Sequence, residues 1–362
     1  MGLDLAVALR KIIHIDCDCF FAAVEMRDHP AWRNLPLAVG GAADARGVIA
    51  TCNYPARQFG VHSAMPSAQA LKRCPQLKIV PGDMPRYREA SLAVREIFAR
   101  FTDLIEPVSL DEAYLDVTGQ PHCQGSATRM AEAIRAAIRH EVGITASAGI
   151  GPNKMLAKIA SDWNKPDGQW LIRPQEVAAF MPSLPVQRLN GVGPATAARL
   201  AALGVSNCAG LQTLARDALV QQFGRFGERL YQMARGEDDR PVRSERVRQS
   251  LSVERTYPQD LPDVAACLAR LPDLLDALQV RLSSWLASGG QCRGAWVKVR
   301  FADFRQTTVE DAQAVLSLPA LSGLLQQALA RGAQPVRLLG VGVRLSAPTA
   351  RPQQLELFAA QG

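Results

Sequence analysis

The segment IIHIDCDCFF, residues 12–21, decides how the N-terminal part of this chain is interpreted. Its apolar run predicts a buried strand over residues 11–20, interrupted by Asp16 and Asp18. Because side chains alternate between the two faces of a strand, both aspartates should lie on the side opposite Cys17. Buried carboxylates are costly unless they are paired or bind a cation, so this strand is a candidate metal site.

The composition excludes several classes of protein. With 362 residues the chain is long enough for two or more domains, and 48% apolar and 21% charged residues are ordinary for a globular protein. It has no apolar run long enough for a membrane span and no secretory signal pattern. Its eight cysteines include no C-x-x-C pair, which argues against zinc and disulfide frameworks and predicts a cytoplasmic protein. The net charge of +7 favours a polyanionic partner.

The pattern of elements predicts an α+β protein of several domains. The part up to residue 173 mixes strands and helices, residues 174–240 read as short helices with glycine turns, and residues 249–346 read as a small α+β domain. Within these parts, strands are predicted at 36–41, 47–53, 143–150, 294–301 and 337–345, and a turn followed by a strand at 105–118. Helices are predicted at 63–74, 85–101, 125–142, 153–164, 261–287 and 319–331.

A second acidic segment, SLDEAYLD, contains Asp111 next to Glu112. Strict strand alternation would separate these two side chains, but a turn in the preceding EPVS could bring both towards one point. Several carboxylates at strand ends are what Mg²⁺ requires, together with substrate phosphates. The alternative is that each acid is a surface residue at a strand end. The spacing by itself does not separate a polymerase from a cyclase or a nuclease.

Glycine turns and basic residues supply candidate phosphate contacts. GIGPNK (149–154) and GVGPATAARL (191–200) each precede a helix, but neither is a dinucleotide or P-loop motif. The second fits a helix–hairpin–helix that grips a DNA backbone, or an ordinary helix–turn–helix packing unit. Tyr54 and Arg57 lie three residues apart at a predicted helix start, and Lys165 is expected to be exposed at a turn.

Taken together, these segments resemble the Y-family translesion DNA polymerases, most closely the bacterial DNA polymerase IV branch. The likeness covers about residues 11–345 and follows the family's order. The matching stretches are KIIHIDCDCFFAAVEMRD, GVIATCNYPARQFGVHSAMP, LIEPVSLDEAYLDVTG, ASAGIGPNKMLAKIASDWNKPDG, LNGVGPATAARL and RQSLSVERTYPQD.

The resemblance implies a right-hand polymerase that copies damaged templates with low fidelity and without proofreading. Its implied parts are a palm (1–18 and 82–173), fingers (19–81), a helix–hairpin–helix thumb (174–240), a linker (241–248), a little finger (249–346) and a flexible tail (347–362). The stretch from 241 to 350 carries 13 Lys and Arg against 9 Asp and Glu, which suits a DNA-contacting domain.

The resemblance also implies roles for individual residues. Asp16, Asp111 and Glu112 would act in catalysis and hold two Mg²⁺ ions, with the backbone carbonyl of Cys17 as a further ligand. Asp18 belongs to the same motif but is a weaker candidate ligand. The remaining implied contacts are a steric gate against ribonucleotides at Phe21, dNTP binding by Tyr54, Arg57 and Lys165, and DNA binding by Gly191, Gly193, Lys298 and Arg300.

The C-terminal QLELF resembles the peptide that docks bacterial polymerases onto the sliding clamp. Gln354, Leu355, Leu357 and Phe358 would make that contact. The expected partners are therefore primer–template DNA, dNTPs and the clamp, for a monomer without membrane contact. Two alternatives remain: a metal-dependent cyclase or phosphodiesterase on a similar palm, and a DNA-binding protein that performs no chemistry.

Overall fold

The computed structural model describes residues 9–245 and 247–346. By its internal contacts the chain divides into two compact units. Within the described part, the first unit holds residues 9–42 and 47–245, and the second holds 43–46 and 247–346. Across these same ranges, no helix has the length and apolar character needed to cross a membrane.

Strands and helices of the first unit follow one another along the chain. Its strands are β1 Ile12–Cys17, β2 Leu37–Gly40, β3 Ile49–Cys52, β4 Lys78–Val80, β5 Ile105–Pro107, β6 Glu112–Asp116, β7 Ala146–Gly151 and β8 Gln169–Leu171. Its helices are α1 Phe20–Asp28, α2 Tyr54–Gln58, α3 Ser67–Arg73, α4 Met84–Ala99, α5 Ala127–Ala137, α6 Lys154–Ser161, α7 Val177–Phe180, α8 Pro194–Ala202, α9 Cys208–Gln212, α10 Arg216–Phe223 and α11 Arg225–Ala234.

The central sheet has the order β5-β6-β1-β7-β8, with β1 antiparallel to both neighbours. Ile13 and Ile15 belong to the large core that also includes apolar residues of α4 and α5. The alternate residues of β1 lie on the other face, where His14 contacts Ser161 of α6. A buried strand between two helical layers explains the nearly continuous apolar run in this segment.

The strand predicted over residues 11–20 is too long. β1 ends at Cys17, Cys19 adopts a left-handed conformation with φ 42°, and α1 begins at Phe20. After the Cys17 N–H has donated to the backbone oxygen of Asp111, the left-handed backbone of Cys19 turns the chain out of the sheet. Both phenylalanines therefore lie on a helix, and Asp18 lies in a turn where strand alternation does not apply.

Smaller elements complete the first unit. A three-stranded sheet has the order β3-β2-β4 and shares a core with α2 and α3. Helices α8 to α11 share another core with α6 and with the turns that precede α8. The predicted strands at 36–41 and 47–53 and the predicted helix at 85–101 are confirmed, with bounds shifted by one to two residues.

The second unit is a four-stranded antiparallel sheet covered by helices on one face. Its elements are β9 Ser250–Leu261, α12 Val264–Leu268, α13 Leu271–Ala287, β10 Gln291–Phe301, β11 Gln306–Asp311, α14 Leu318–Leu329 and β12 Val336–Ser346. The strand order is β11-β10-β12-β9. On β10, Val297 and Val299 are buried in the core that includes α13 and α14. Lys298 and Arg300 alternate with them and lie on the opposite face of the sheet.

Candidate active site

A cavity of about 330 Å³ opens at the carboxyl end of β1. The cavity is lined by side chains from β1, α1, β3, α2, the turn before β6 and the loop after α6, which are distant in sequence. Six of the residues singled out by sequence lie on its wall. The lining residues are Asp16, Cys17, Cys19, Phe20, Phe21, Ala50, Thr51, Arg57, Ser63, Asp111 and Lys165.

Asp16 is the acidic residue contributed by β1 itself. Its carboxylate is 2.7 Å from the Nζ atom of Lys165, and 20% of its side chain is exposed. Burial raises the pKa of Asp16, while the neighbouring Lys165 lowers it and Asp111 raises it further. Lys165 is itself largely covered, so the expectation that it is exposed at a turn is wrong. Burial opposes its charge, but attraction to Asp16 outweighs that effect and raises the pKa of Lys165.

Glu112 opens β6 directly opposite Asp16 in the strand register. One of its oxygens, Oε2, contacts the Lys158 ammonium and lies 3.2 Å from Nε2 of His14. Burial would raise the pKa of Glu112, but its polar neighbours, including the Lys158 ammonium, outweigh burial and bring the pKa to about 2. Glu112 is thus a carboxylate held by positive charge from α6.

Asp111 precedes β6 and belongs to a turn, as the EPVS segment suggested. Its backbone oxygen accepts the Cys17 N–H at 2.9 Å, and its carboxylate accepts the Ser109 hydroxyl. The turn directs Asp111 into the cavity that Asp16 lines. The turn therefore brings Asp111 close to Asp16, while Glu112 reaches Asp16 from the neighbouring strand.

Ligating atoms of His14, Asp16 and Glu112 all lie within 4.8 Å of one another. Among the described residues, no other set of three or more Asp, Glu, His or Cys side chains has its ligating atoms this close together. Asp111 does not belong to the set. The carboxylate oxygens suit a divalent cation, and the nearby ammonium groups of Lys158 and Lys165 now balance their charge. The residues present therefore fit a cation site.

Asp18 serves a different purpose from Asp16. It is 1% exposed, and its carboxylate accepts hydrogen bonds from several donors. These are the hydroxyls of Thr145 (2.9 Å), Ser147 (2.8 Å) and Tyr54 (3.3 Å) and the backbone N–H of Asp167 (2.8 Å). With its oxygens occupied, Asp18 joins the end of β1 to β7 and to the loop after α6.

The thiols of this segment are part of the packing. Cys17 and Cys19 are buried, and burial raises the pKa of the Cys19 thiol to about 12. A thiol with so high a pKa is a poor nucleophile and a poor metal ligand at neutral pH. This agrees with the prediction of reduced, packed cysteines.

Phe21 lies at the cavity wall on the first turn of α1. Its ring stacks on Tyr87 of α4 with a centroid separation of 4.4 Å and an interplanar angle of 16°. The Tyr87 hydroxyl donates to buried Glu25 at 2.6 Å. Because Tyr87 is fully buried and its hydroxyl is held by Glu25, the Phe21 ring has a rigid support.

Basic and phenolic groups surround the acids on the α2 side. Asn53 caps α2 and Pro55 occupies its first turn, which fixes the helix start that the sequence predicted. The Arg57 guanidinium lies 4.7 Å from the centroid of the Tyr54 ring and donates to the Cys52 carbonyl at 3.2 Å. Arg57 and Lys165 thus line one cavity with the carboxylates.

Sequence reasoning missed His14, Lys158 and Tyr87. His14 had a usable signal, because it lies two residues before Asp16 and so shares its face of β1. Lys158 and Tyr87 come from helices whose placement against β1 and α1 no local pattern reveals.

The two glycine motifs have different explanations. A Cβ at Gly149 would lie 1.9 Å from the Ala157 carbonyl oxygen, so this glycine lets α6 pack on β7. A Cβ at Gly193, the residue that caps α8, would meet nothing within 4 Å. Gly191 has a φ of +94°, a backbone conformation that residues with a Cβ rarely adopt. The GIG glycine is therefore explained by packing, whereas Gly193 leaves open space at a helix N-terminus.

Lys298 and Arg300, which were predicted to contact DNA, lie on β10 of the second unit. Lys298 forms a 2.5 Å ion pair with Glu254, and Arg300 donates to Gln306 at 2.8 Å, both on the helix-free face of the second unit's sheet. The tail residues predicted to bind the clamp lie outside the described residues, namely Gln354, Leu355, Leu357 and Phe358.

Family comparisons cover most of the chain. Residues 15–162 match the impB/mucB/samB family, and residues 248–357 match the C-terminal domain of that family. Residues 187–238 match a family described as the thumb domain of DNA polymerase-iota.

Individual relatives are similar over nearly the whole length. A protein of Pseudomonas syringae pv. syringae named DNA polymerase IV is 56% identical over 354 residues, covering 97% of this chain and 99% of the relative. An Ectopseudomonas mendocina protein of the same name is 56% identical over 350 residues, with the same coverage. The solved structure of a Y-family DNA polymerase chimera matches with a TM-score of 0.83 at 29% identity, over 92% of this chain and 98% of the chimera. The chain therefore belongs to the Y family of DNA polymerases, in the group of the bacterial DNA polymerase IV proteins.

Proposed function

We propose that the cavity at the end of β1 is the place where this chain joins a dNTP to a primer 3′-hydroxyl. As a member of its family the chain is a DNA-directed DNA polymerase of the translesion type, which acts on primer–template DNA with divalent cations. The observation that carries the assignment is the meeting of Asp16, Asp111, Phe21, Arg57 and Lys165 on one cavity wall. An acidic centre flanked by cations suits a metal-bound triphosphate.

Asp16, Asp111 and Glu112 are the proposed ligands of two Mg²⁺ ions, with the backbone carbonyl of Cys17. When bound, such ions stabilise the charge that develops as the primer oxygen displaces pyrophosphate. Asp16 and Glu112 are at present paired with Lys165 and Lys158. Cation binding would free both ammonium groups, and Lys165 would then be available to the triphosphate of the incoming nucleotide.

Arg57, Tyr54 and Lys165 are the proposed contacts of that triphosphate. Arg57 offers a planar fork of donors, and stacking on Tyr54 holds that fork in one orientation. Phe21 is the proposed steric gate, since its ring lines the cavity and is supported by Tyr87. A ring held in this way would collide with a ribose 2′-hydroxyl and leave room for deoxyribose.

The domain roles are proposed with the boundaries given from sequence. Residues 1–18 and 82–173 are the palm, 19–81 the fingers, 174–240 the thumb, 241–248 the linker and 249–346 the little finger. Gly191 and Gly193 would approach the DNA backbone at the start of α8, because open space at Gly193 admits a phosphate. On the little finger, Lys298 and Arg300 would contact phosphates from the helix-free face of the sheet.

Clamp docking through Gln354, Leu355, Leu357 and Phe358 is likewise proposed, for a monomer in the cytoplasm. The support is the QLELF sequence itself, which joins apolar anchors to an amide donor near the end of the chain.

Replacing Asp16 or Asp111 by Ala tests the assignment. Each change removes a proposed cation ligand and should lower primer extension with Mg²⁺ by roughly a thousandfold, since cations contribute several kcal/mol to such transition states. DNA binding, measured by fluorescence anisotropy, should persist. Asp103→Ala, at an exposed acid, is the matched control. Near-normal extension by either active-site variant would disprove the metal assignment.

A further inference from the structure

His14 has a hydrogen-bonding arrangement that the polymerase assignment leaves unexplained. It is fully buried, and its Nε2 atom makes no aligned hydrogen bond. Its Nδ1 atom lies 2.9 Å from the Ser161 hydroxyl oxygen, which in turn lies 2.8 Å from the Lys158 carbonyl oxygen. A carbonyl can only accept, so the one hydroxyl proton of Ser161 goes to Lys158. In the tautomer that satisfies both contacts, Nδ1 donates to Ser161, and Nε2 then presents its lone pair as a ligand atom.

The surroundings of Nε2 match those of a metal-ligating imidazole. Nε2 lies 3.2 Å from Oε2 of Glu112, yet the two are not aligned as a hydrogen bond. Two ligands at about 2.1 Å from one cation are roughly 3.0–3.4 Å apart when they subtend an angle between 90° and the tetrahedral value. An Asp16 oxygen lies within 4.8 Å of both atoms. One nitrogen and two carboxylate ligands therefore surround one position.

We propose that His14, Asp16 and Glu112 form a site for a first-row transition-metal dication such as Mn²⁺, Co²⁺ or Zn²⁺, bound by Nε2 and the two carboxylates. The inference rests on the proposed function, because Asp16 and Glu112 are also proposed ligands of Mg²⁺. Imidazole suits these metals, whereas Mg²⁺ prefers oxygen ligands. His14 thus gives the carboxylate centre a means of binding transition metals more tightly than Mg²⁺.

Two neighbouring residues, Ser161 and Lys158, affect how strongly this site would bind a metal. The Ser161 hydroxyl accepts from Nδ1 and so holds the imidazole with Nε2 towards the carboxylates, as outer partners of metal-bound histidines do. The Lys158 ammonium contacts the same Glu112 oxygen that the metal would use. Metal binding must therefore displace Lys158 from Glu112.

The experiment uses the full chain with Mn²⁺ alone, without DNA or nucleotide. Pulsed electron paramagnetic resonance of bound Mn²⁺ should show the ¹⁴N coupling of one directly bound imidazole. His14→Phe keeps an aromatic ring against Tyr114, which lies 4.7 Å away, but has no ligand atom. It should lose the ¹⁴N coupling and bind Mn²⁺ at least about tenfold more weakly, and Ser161→Ala should weaken binding roughly tenfold. Mg²⁺ affinity should change less in both. His140→Gln, at an exposed histidine, is the matched control and should keep the coupling.

Absence of ¹⁴N coupling in the wild-type protein would overturn the inference without any variant, as would coupling that persists in folded His14→Phe. If His14→Phe does not fold, unchanged Mn²⁺ affinity in Ser161→Ala would count against the site. Primer extension with Mg²⁺ by the same preparation separates the two proposals. Extension without ¹⁴N coupling removes this inference alone, and ¹⁴N coupling without extension removes the proposed polymerase function alone.

Discussion

Three acidic residues near one strand end differ in role because their neighbours differ. Asp16 is paired with Lys165 at the cavity, and Glu112 is held by Lys158 beside His14. Asp18, two residues after Asp16, accepts hydrogen bonds from hydroxyls and a backbone N–H. Residue type and spacing made Asp16 and Asp18 equal candidates, and the family resemblance ranked Asp18 lower. Their hydrogen-bond partners separate the proposed ligand Asp16 from the structural carboxylate Asp18.

Asp18→Asn should destabilise the fold. The amide NH₂ cannot accept from hydroxyl and N–H donors that now meet two carboxylate oxygens, so a buried donor loses its partner. The expected loss in the free energy of unfolding is about 1–3 kcal/mol, measured by urea denaturation. Asp103→Asn, at an exposed acid, should change stability by less than about 0.5 kcal/mol. Equal stability of Asp18→Asn and the wild-type protein would contradict the structural role.

Phe21→Ala should relax the choice of sugar. Removing the ring opens the cavity wall, so incorporation of ribonucleotides relative to deoxyribonucleotides should rise by roughly tenfold or more. Single-nucleotide extension with matched dNTP and rNTP measures the ratio. Tyr87→Phe keeps the ring that supports Phe21, so its ratio should stay near that of the wild-type protein. A ratio unchanged in Phe21→Ala would exclude the gate.

At the scale of elements, the site depends on how α6 lies against β1 and β7. This helix carries Lys158 and Ser161, which contact Glu112 and His14 of the sheet. Its close approach requires glycine in β7, because a Cβ at Gly149 would overlap the helix backbone. The sequence predicted that this segment is a helix, but it did not predict which residues of the sheet the helix contacts.

Gly149→Ala should therefore destabilise the protein strongly. The added methyl would lie 1.9 Å from the Ala157 carbonyl oxygen, and backbone atoms cannot move aside as a side chain can. We expect a loss of about 3 kcal/mol in the free energy of unfolding, at the upper end for overpacking, seen as a lower urea midpoint. Gly193→Ala, where the methyl meets nothing, should change stability by less than about 1 kcal/mol. Similar midpoints for the two variants would refute the packing argument.

At the scale of the whole molecule, the chain is two compact units with separate cores. The net charge of +7 suits a polyanionic partner, and the proposed DNA contacts are divided between the helical segment at α8 and the sheet of the second unit. The proposed clamp contact belongs to the C-terminal residues, outside the described part of the chain.

Removing residues 353–362 should weaken clamp binding without changing basal primer extension. The deletion takes away Leu355, Leu357 and Phe358, the apolar anchors proposed to fill a clamp pocket. A buried aromatic anchor is worth 2 kcal/mol or more, so clamp affinity by surface plasmon resonance should fall at least roughly thirtyfold. Gln361→Ala should bind as the wild-type protein does. Undiminished affinity after the deletion would place the clamp contact elsewhere.

The sequence by itself determined the order of the main elements, the acidic pairs, the helix start at Tyr54 and the family likeness. Each of these depends on neighbouring residues or on motifs that are continuous along the chain. It did not show the end of β1 at Cys17, and it missed the edge strand β9, where half of the residues are exposed and apolar alternation fails. Hydrogen bonding to β12 makes that segment a strand.

Only the tertiary structure decided which side chains meet. Most partners of Asp16, Asp18 and Glu112 come from residues 145–167, more than a hundred positions from β1, and no local pattern specifies such contacts. The same holds for IIHIDCDCFF itself. Its apolar run predicted a strand, but the packing of α6 on that strand turned His14 from a core residue into a candidate metal ligand.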